Sequence, residues 1–287
     1  MLSFRLLNIV RVVLALSTIS LGSSVPSKRA TVCNGHAELC NRSYGNITHF
    51  GSHDSFAFTK DPFVLARDQE VDIPTQLGLG ILFDGGTVQD YLTKVFNWLQ
   101  ANPNEVVTLL FTNPESVSLP NVWAPAFQAS GIAQMAYVPP SIPMKRSDWP
   151  TLGQLIDSGK RVIVFLDYGA DTDRSVNYIL PEFQMIWETP FSVTDSTFPC
   201  SVDRIAGPLA TLDHMYMINH SLNVNILDTG IIVSDPLEAP TTNSITSITA
   251  HSNGCAPLAG GRAPNFVLLD FVDLGQGLAA VNKLNGF

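Results

Sequence analysis

The sequence predicts an α/β fold: a parallel sheet, open or closed into a (β/α) barrel of the TIM type. Three observations carry this expectation. Apolar, β-branched runs alternate with stretches of helical periodicity after residue 45. The chain has 287 residues, and one barrel of roughly 250 residues fits within that length. A histidine–aspartate pair, His53-Asp54, follows a strand-like segment, which is where such barrels carry their chemistry.

The elements follow in chain order. Asn46 to Phe58 reads as a short β-branched and aromatic strand that runs out into a Gly-Ser loop. In Thr87 to Gln100 the apolar residues Val88, Tyr91, Leu92, Val95 and Leu99 recur with helical spacing, and Asn102-Pro103-Asn104 stops that helix. Val106 to Thr112, Arg161 to Asp167 and Asn265 to Phe271 are nearly all apolar or β-branched, as strands buried on both faces should be. Met215 to Ile218 is a shorter strand candidate. Thr151 to Asp157 reads as a short helix with Thr151 as its N-cap and Gly159 as its breaker. The prolines of 138–150 mark one long connection inside a single domain.

Composition narrows the function classes. The chain is 45% hydrophobic and 14% charged, enough apolar mass for a sizeable core. The formal net charge is -9 and no Lys/Arg run occurs. Nucleic acid and other polyanions are therefore poor partners, because they need a clustered positive field. A phosphate ester held by one or two local cations stays open. Residues 1–29 read as a secretory signal and short pro-segment: Arg5 precedes a mostly apolar run from Leu6 to Leu21, small residues follow, and Lys28-Arg29 resembles a dibasic processing site. An interfacial anchor is the alternative. Residues 30–287 then form one domain of a secreted, extracellular protein.

Four cysteines suit that compartment. They allow three connectivities; proximity favours Cys33 with Cys40, which leaves Cys200 with Cys255. Asn41, Asn46 and Asn219 open glycosylation sequons, and Asn41, beside the cysteine loop, is the favoured acceptor.

Asp167 and Asp270 end strands, as do His53 and Asp54. In a barrel these ends converge on one mouth. A histidine near Asp270 would be held in one tautomer and its imidazolium stabilised, which prepares a general base near its ordinary pKa of about 6.5. The plainer reading of either aspartate is a cap on the following turn.

The ordered segments NITHFGSHDSFAF, GKRVIVFLDYGAD, FPCSVDR, MYMINH and NFVLLDF resemble secreted fungal proteins with the phosphatidylinositol-specific phospholipase C X-domain fold, the PLC-like phosphodiesterases. The resemblance covers Cys33 to about Gly275. It implies that His53 is the general base, that Asp270 orients it, and that Asp54 supports a second histidine acting as general acid. Aspartate at position 54 resembles the metal-independent branch, and no EF-hand or His/Cys metal spacing occurs, so no metal or other cofactor is expected. The expected partner is a phospholipid or other phosphodiester substrate, with transient contact to a membrane surface.

The chain departs from that family in one place. Members continue from a Gln-x-Leu-x-x-Gly-Ile helix into a strand with a phosphate-clamping arginine. A loop with a histidine between two cysteines follows, then Leu-Asp-Gly-Gly-Thr. Here Gln76-Leu77-Gly78-Leu79-Gly80-Ile81 joins Leu82-Phe83-Asp84-Gly85-Gly86-Thr87 directly. A strand-plus-loop segment is absent after Ile81, so the expected barrel is irregular or incomplete, and both the arginine and the acid histidine lack counterparts. A missing general acid costs about 10²- to 10⁴-fold in rate. Asp167, Arg67 and His220 remain as candidate substrate contacts. His36, His214 and His251 are assigned to solvated loops or strand starts. Three readings follow: an impaired phosphoric diester hydrolase, a non-catalytic secreted binding protein on the same fold, and, more weakly, a glycosidase built on Asp167 and Asp270.

Overall fold

The computed structural model describes residues 29–55, 68–69 and 87–287. The predicted signal segment lies outside the described residues except for Arg29, and so do Arg67 and the Ile81-Leu82 junction.

The described strands are β1 (His49–Ser52), β2 (Val107–Phe111), β3 (Val162–Leu166), β4 (Ile179–Pro181), β5 (Ile186–Glu188), β6 (Met215–Asn219), β7 (Asn223–Asn225), β8 (Ile232–Ser234) and β9 (Phe266–Leu269). The helices are α1 (Val88–Ala101), α2 (Ala124–Ala129), α3 (Leu152–Asp157), α4 (Ala239–Thr242), α5 (Ile245–Cys255) and α6 (Gly277–Leu284). The helical pattern and the strand runs predicted from sequence fall on α1, α3, β1, β2, β3, β6 and β9.

Among the described residues the parallel strands form two sheets, ordered β1-β9-β6-β5 and β2-β3-β4, while β7 and β8 make a separate antiparallel hairpin. The fold is thus mixed α/β with parallel sheets. The sequence predicts an irregular or incomplete barrel; the described residues form parallel sheets with no closed ring. One break falls between β1 and β2, the interval of chain that contains the Ile81-Leu82 junction. The other falls between β4 and β5.

Burial follows the same division. Every residue of β3, β5 and β6 is buried, as strands covered on both faces must be. All of β1 and four of the five residues of β2 are only half-buried. Both strands line a cavity of about 1150 Å³. Apolar residues facing such a space forgo the close packing that stabilises protein interiors.

Local chemistry sets the helix boundaries. Asp90 N donates to Thr87 Oγ1 at 3.1 Å and Thr87 N donates to Asp90 Oδ2 at 3.3 Å, a capping box that starts α1. Leu92, Val95 and Leu99 form its buried stripe. At the other end Arg161 donates to the carbonyls of Leu99, Asn102 and Glu105. Its cation satisfies the free carbonyls of the helix C-terminus. Thr151 and Gln154 make the same reciprocal cap on α3, and Gly159 takes the left-handed φ of 72° that ends it. Both disulfides pair as expected: Cys33–Cys40 and Cys200–Cys255, 7 and 55 residues apart.

Candidate active site

Parallel pairing of β1 with β9 sets Ser52 beside Leu269, so the next residues, His53 and Asp270, leave the sheet side by side. His53 N donates to Leu269 O at 2.9 Å, which extends the ladder by one step. His53 Nδ1 then lies 2.9 Å from Asp270 Oδ1. Nδ1–H donates to the carboxylate, which fixes the tautomer and leaves Nε2 for other partners, and 36% of the side chain is exposed.

Two amide side chains hold this corner. Gln69, fully buried, donates to His53 O at 2.9 Å and Leu269 O at 3.2 Å, and accepts from Val272 N. Asn243 donates to Asp270 O at 2.8 Å. The remaining Asp270 oxygen accepts from Ser234 Oγ at the end of β8, and the same hydroxyl contacts Asp68 Oδ1. One hydroxyl proton serves only one of these two carboxylates at a time.

The electrostatics follow. Burial works against a charge on His53, but Asp270, through charge and hydrogen bond, outweighs it, with further help from Asp54 and Asp68. The imidazole is pushed up to about 10. Burial raises Asp68 to about 7, and the neighbouring Asp270 charge adds to this. Asp54 Oδ2 is 3.8 Å from His53 Nε2, a charge contact rather than a hydrogen bond. Asp54 sits at a φ of 39°, sparsely populated for a non-glycine residue. At neutral pH the corner is therefore an imidazolium ringed by carboxyl groups.

Ligand atoms of His53, Asp68 and Asp270 lie within 4.8 Å of one another, close enough to face one cation. Those of Cys200, His251 and Cys255 do so as well, but the two sulfurs are joined in a disulfide and offer no thiolate.

The other predicted site residues separate. Asp167 Oδ1 accepts from Asn113 N and Tyr168 N, both at 2.7 Å, so it caps its own turn. Burial raises its carboxyl above the usual range despite these bonds. His220 requires a correction. It is fully buried, its Nε2 donates to Thr242 O, and its Nδ1 meets His251 Nδ1 at 2.9 Å, so it offers a substrate no free atom. His251 is corrected with it: it lies inside α5, buried, rather than in a solvated loop. The side chains of Asn41 and Asn46 are in exposed residues, whereas Asn219 is buried and donates to Thr189 O, which closes that sequon to a glycan.

The histidine pair has a pH consequence. Burial holds His220 down to about 4, and burial plus the neighbouring His220 holds His251 down to about 3. An unfolded histidine titrates near 6.5, so between these values the unfolded chain binds protons that the folded chain refuses. Stability from the pair is complete above about 6.5 and is lost as pH falls toward 4, by roughly 3 kcal/mol for one such group. Denaturant unfolding at pH 7 and 4.5 should show this slope reduced in a His220→Asn/His251→Leu double variant. An unchanged slope would contradict the assignment.

Sequence reasoning did not single out a second polar cluster on the cavity wall. Arg204 pairs with buried Glu188, and Asn219 donates to the same carboxylate at 3.3 Å. Burial and a hydrogen bond to Glu188 drive the Glu182 carboxyl well above its usual range. Arg204 lies in the motif FPCSVDR, which was the available signal.

Comparison with known proteins gives the lineage. The PI-PLC X family model (PI-PLC X 1) matches residues 81–285, starting at one flank of the Ile81-Leu82 junction. PI-PLC X domain-containing protein 1 of Arthroderma benhamiae is 39% identical over 304 residues, covering 95% of each chain. That match is longer than this chain of 287 residues, so the relative supplies residues that are absent here. An uncharacterized secreted protein of the same fungus is 40% identical, covering 85% of this chain and 61% of its own length. PI-PLC X domain-containing protein At5g67130 of Arabidopsis thaliana is 23% identical over 68% of this chain and 44% of its own. No solved structure matches. The secreted relative agrees with the expected secretory route, and no helix among the described residues is long and apolar enough to cross a membrane. On the breadth of the family match and the identity along nearly the whole chain, this protein belongs to the PI-PLC X domain family.

Proposed function

We propose that the chain is a secreted phosphoric diester hydrolase of the phosphatidylinositol phospholipase C-like type, residues 30–287 forming an interrupted TIM-type barrel that carries half of such a site. The substrate class is a diester of a polyol phosphate with a free hydroxyl beside the phosphorus, as in an inositol phospholipid. The observation that carries this reading is the 2.9 Å contact between His53 Nδ1 and Asp270 Oδ1 at the C-terminal ends of adjacent parallel strands.

In the proposed reaction the neighbouring hydroxyl attacks phosphorus while His53 Nε2 takes its proton. Asp270 stabilises the imidazolium, as the carboxylate of a catalytic triad does. A new P–O bond closes a cyclic diester and the bond to the other alcohol breaks. That alcohol leaves as an alkoxide unless a general acid protonates it, and the expected acid falls in the absent segment. The 304-residue match to a relative supports that absence, and the half-buried faces of β1 and β2 are consistent with a lost neighbour. The same loss removes a cation. His53 is left among carboxylates, so its neutral, proton-accepting form is scarce at pH 7.

His53→Ala is expected to lower the hydrolysis of an aryl phosphodiester about 10²- to 10⁴-fold. Asp270→Asn should cost about 10²-fold or more, because the tautomer is no longer fixed. Rates equal to wild type in both variants would remove the base assignment and leave the fold as a binding scaffold.

A further inference from the structure

The buried pair His220–His251 leaves one atom unaccounted for. His220 Nε2 donates to Thr242 O, a group that only accepts. Both rings are held neutral by burial, and a neutral imidazole carries one N–H. His220 Nδ1 is therefore a bare acceptor, and His251 Nδ1, 2.9 Å away, donates to it. This puts a lone pair on His251 Nε2, which is buried and has no hydrogen-bond partner among the described residues. A buried acceptor left bare is costly unless a donor or a cation takes its lone pair.

Sulfur stands beside this ring. A nitrogen of His251 and the sulfurs of Cys200 and Cys255 lie within 4.8 Å of one another. His251 and Cys255 are one turn apart on α5 and share a face, and the segment FPCSVDR brings Cys200 to them. His251-x-x-x-Cys255 is metal-ligand spacing only on a helix, and no helix is legible in that sequence. Phe198 stacks on the His251 ring, centroids 5.2 Å apart. Cys255 is fully buried and Cys200 half-buried, which gives an ion its entry path. The two sulfurs are joined in the folded chain. That bond forms by oxidation, so every newly made chain passes through a state with both thiols free. Two thiolates and a neutral imidazole whose other N–H is held by a second group make a zinc donor set.

We infer that Cys200, Cys255 and His251 hold a Zn²⁺ ion before the Cys200–Cys255 bridge closes, with His220 fixing the His251 ring from behind. Binding releases the two thiol protons. A disulfide oxidant then takes two electrons from the thiolates. Its own sulfurs take up two protons and leave as thiols, the Cys200–Cys255 bond forms, and Zn²⁺ is released. The ion keeps two cysteines 55 residues apart together and away from Cys33 and Cys40. The test uses the full chain reduced with a phosphine, which gains the oxygen of water as each disulfide becomes two thiols. Titrated with Co²⁺, whose tetrahedral thiolate complexes absorb visible light, the reduced chain should bind one equivalent. Zn²⁺ should displace it and should raise the melting temperature of the reduced chain. His220→Phe should weaken binding about tenfold, as loss of an outer partner does. His251→Phe keeps a ring against Phe198 but offers no ligand, and should weaken it further. Cys33→Ser/Cys40→Ser should leave the absorbance intact; its loss would move the ion to that pair and overturn the inference. Equal affinity of reduced wild type and His251→Phe would also overturn it. So would equal uptake by the disulfide-bonded chain, which would put the ion on the carboxylates of the His53 corner. A reduced chain that gains neither absorbance nor melting temperature with metal would overturn it as well.

Discussion

Inserting a strand-plus-loop segment with an arginine and a histidine between Ile81 and Leu82 is expected to raise turnover of an alkyl phosphodiester by about 10⁴-fold. A general acid contributes roughly 10²- to 10⁴-fold, and a preorganised donor to the developing charge roughly 10²- to 10³-fold. Groups that act as a unit are not additive, so the combined effect is set below the product. A third contribution acts through His53. Its imidazole is pushed up to about 10 by carboxylates, and a cation beside the phosphate would lower it, enlarging the fraction able to accept a proton at neutral pH. The segment would also stand between β1 and β2, whose half-buried faces line the large cavity. A rise in unfolding free energy should accompany the rise in kcat/KM. An inserted chain that melts higher but hydrolyses no faster would show that the gap matters to the fold and not to the chemistry.

Replacing both Cys200 and Cys255 by serine is expected to cost about 4 kcal/mol of stability, the chain-entropy value for a bridge closing a 55-residue interval. The same substitution at Cys33 and Cys40, only 7 residues apart, should cost about half as much. The longer bridge has a further structural role. Cys255 ends α5, whose residues Ile248 and Cys255 pack with Trp187, Tyr216, Ile218 and Val267 in one buried cluster. Loosening α5 also disturbs the His220–His251 contact. Urea unfolding of the two serine pairs at pH 7 measures both costs. Equal losses, or a loss below about 1 kcal/mol for the long bridge, would contradict a stabilising role set by loop length.

Strands β3 and β9 were legible because burial on both faces demands an uninterrupted apolar run; β2 has such a run as well, although four of its five residues are only half-buried. Helices α1 and α3 were legible because each opens on a threonine cap and closes on Asn-Pro or Gly. The three-residue strands β4 and β5 were not, since a run that short has no period to read. Helix α5 was missed because its Ser- and Thr-rich sequence ITSITAHSNGC shows no clear apolar stripe. At the site, His53 and Asp270 were legible as strand-end residues within a resembled family. Their partner Ser234 was not, because a hairpin folded back from β6 brings it there. His220 was misread for a general reason. A polar residue just past a strand looks the same in sequence whether it faces the mouth or packs beneath a helix.

We propose that His53 and Asp270 supply the base half of a phosphodiesterase site and that the acid half is missing. Leaving-group dependence tests this most directly. A good aryl leaving group departs without a proton, whereas an alkyl alkoxide needs one. The wild-type chain is expected to cleave an aryl phosphodiester at a rate that depends on His53 and rises with pH toward about 10, with alkyl cleavage at least 10²-fold slower. Comparable rates on aryl and alkyl diesters, or aryl cleavage unaffected by His53→Ala, would contradict it.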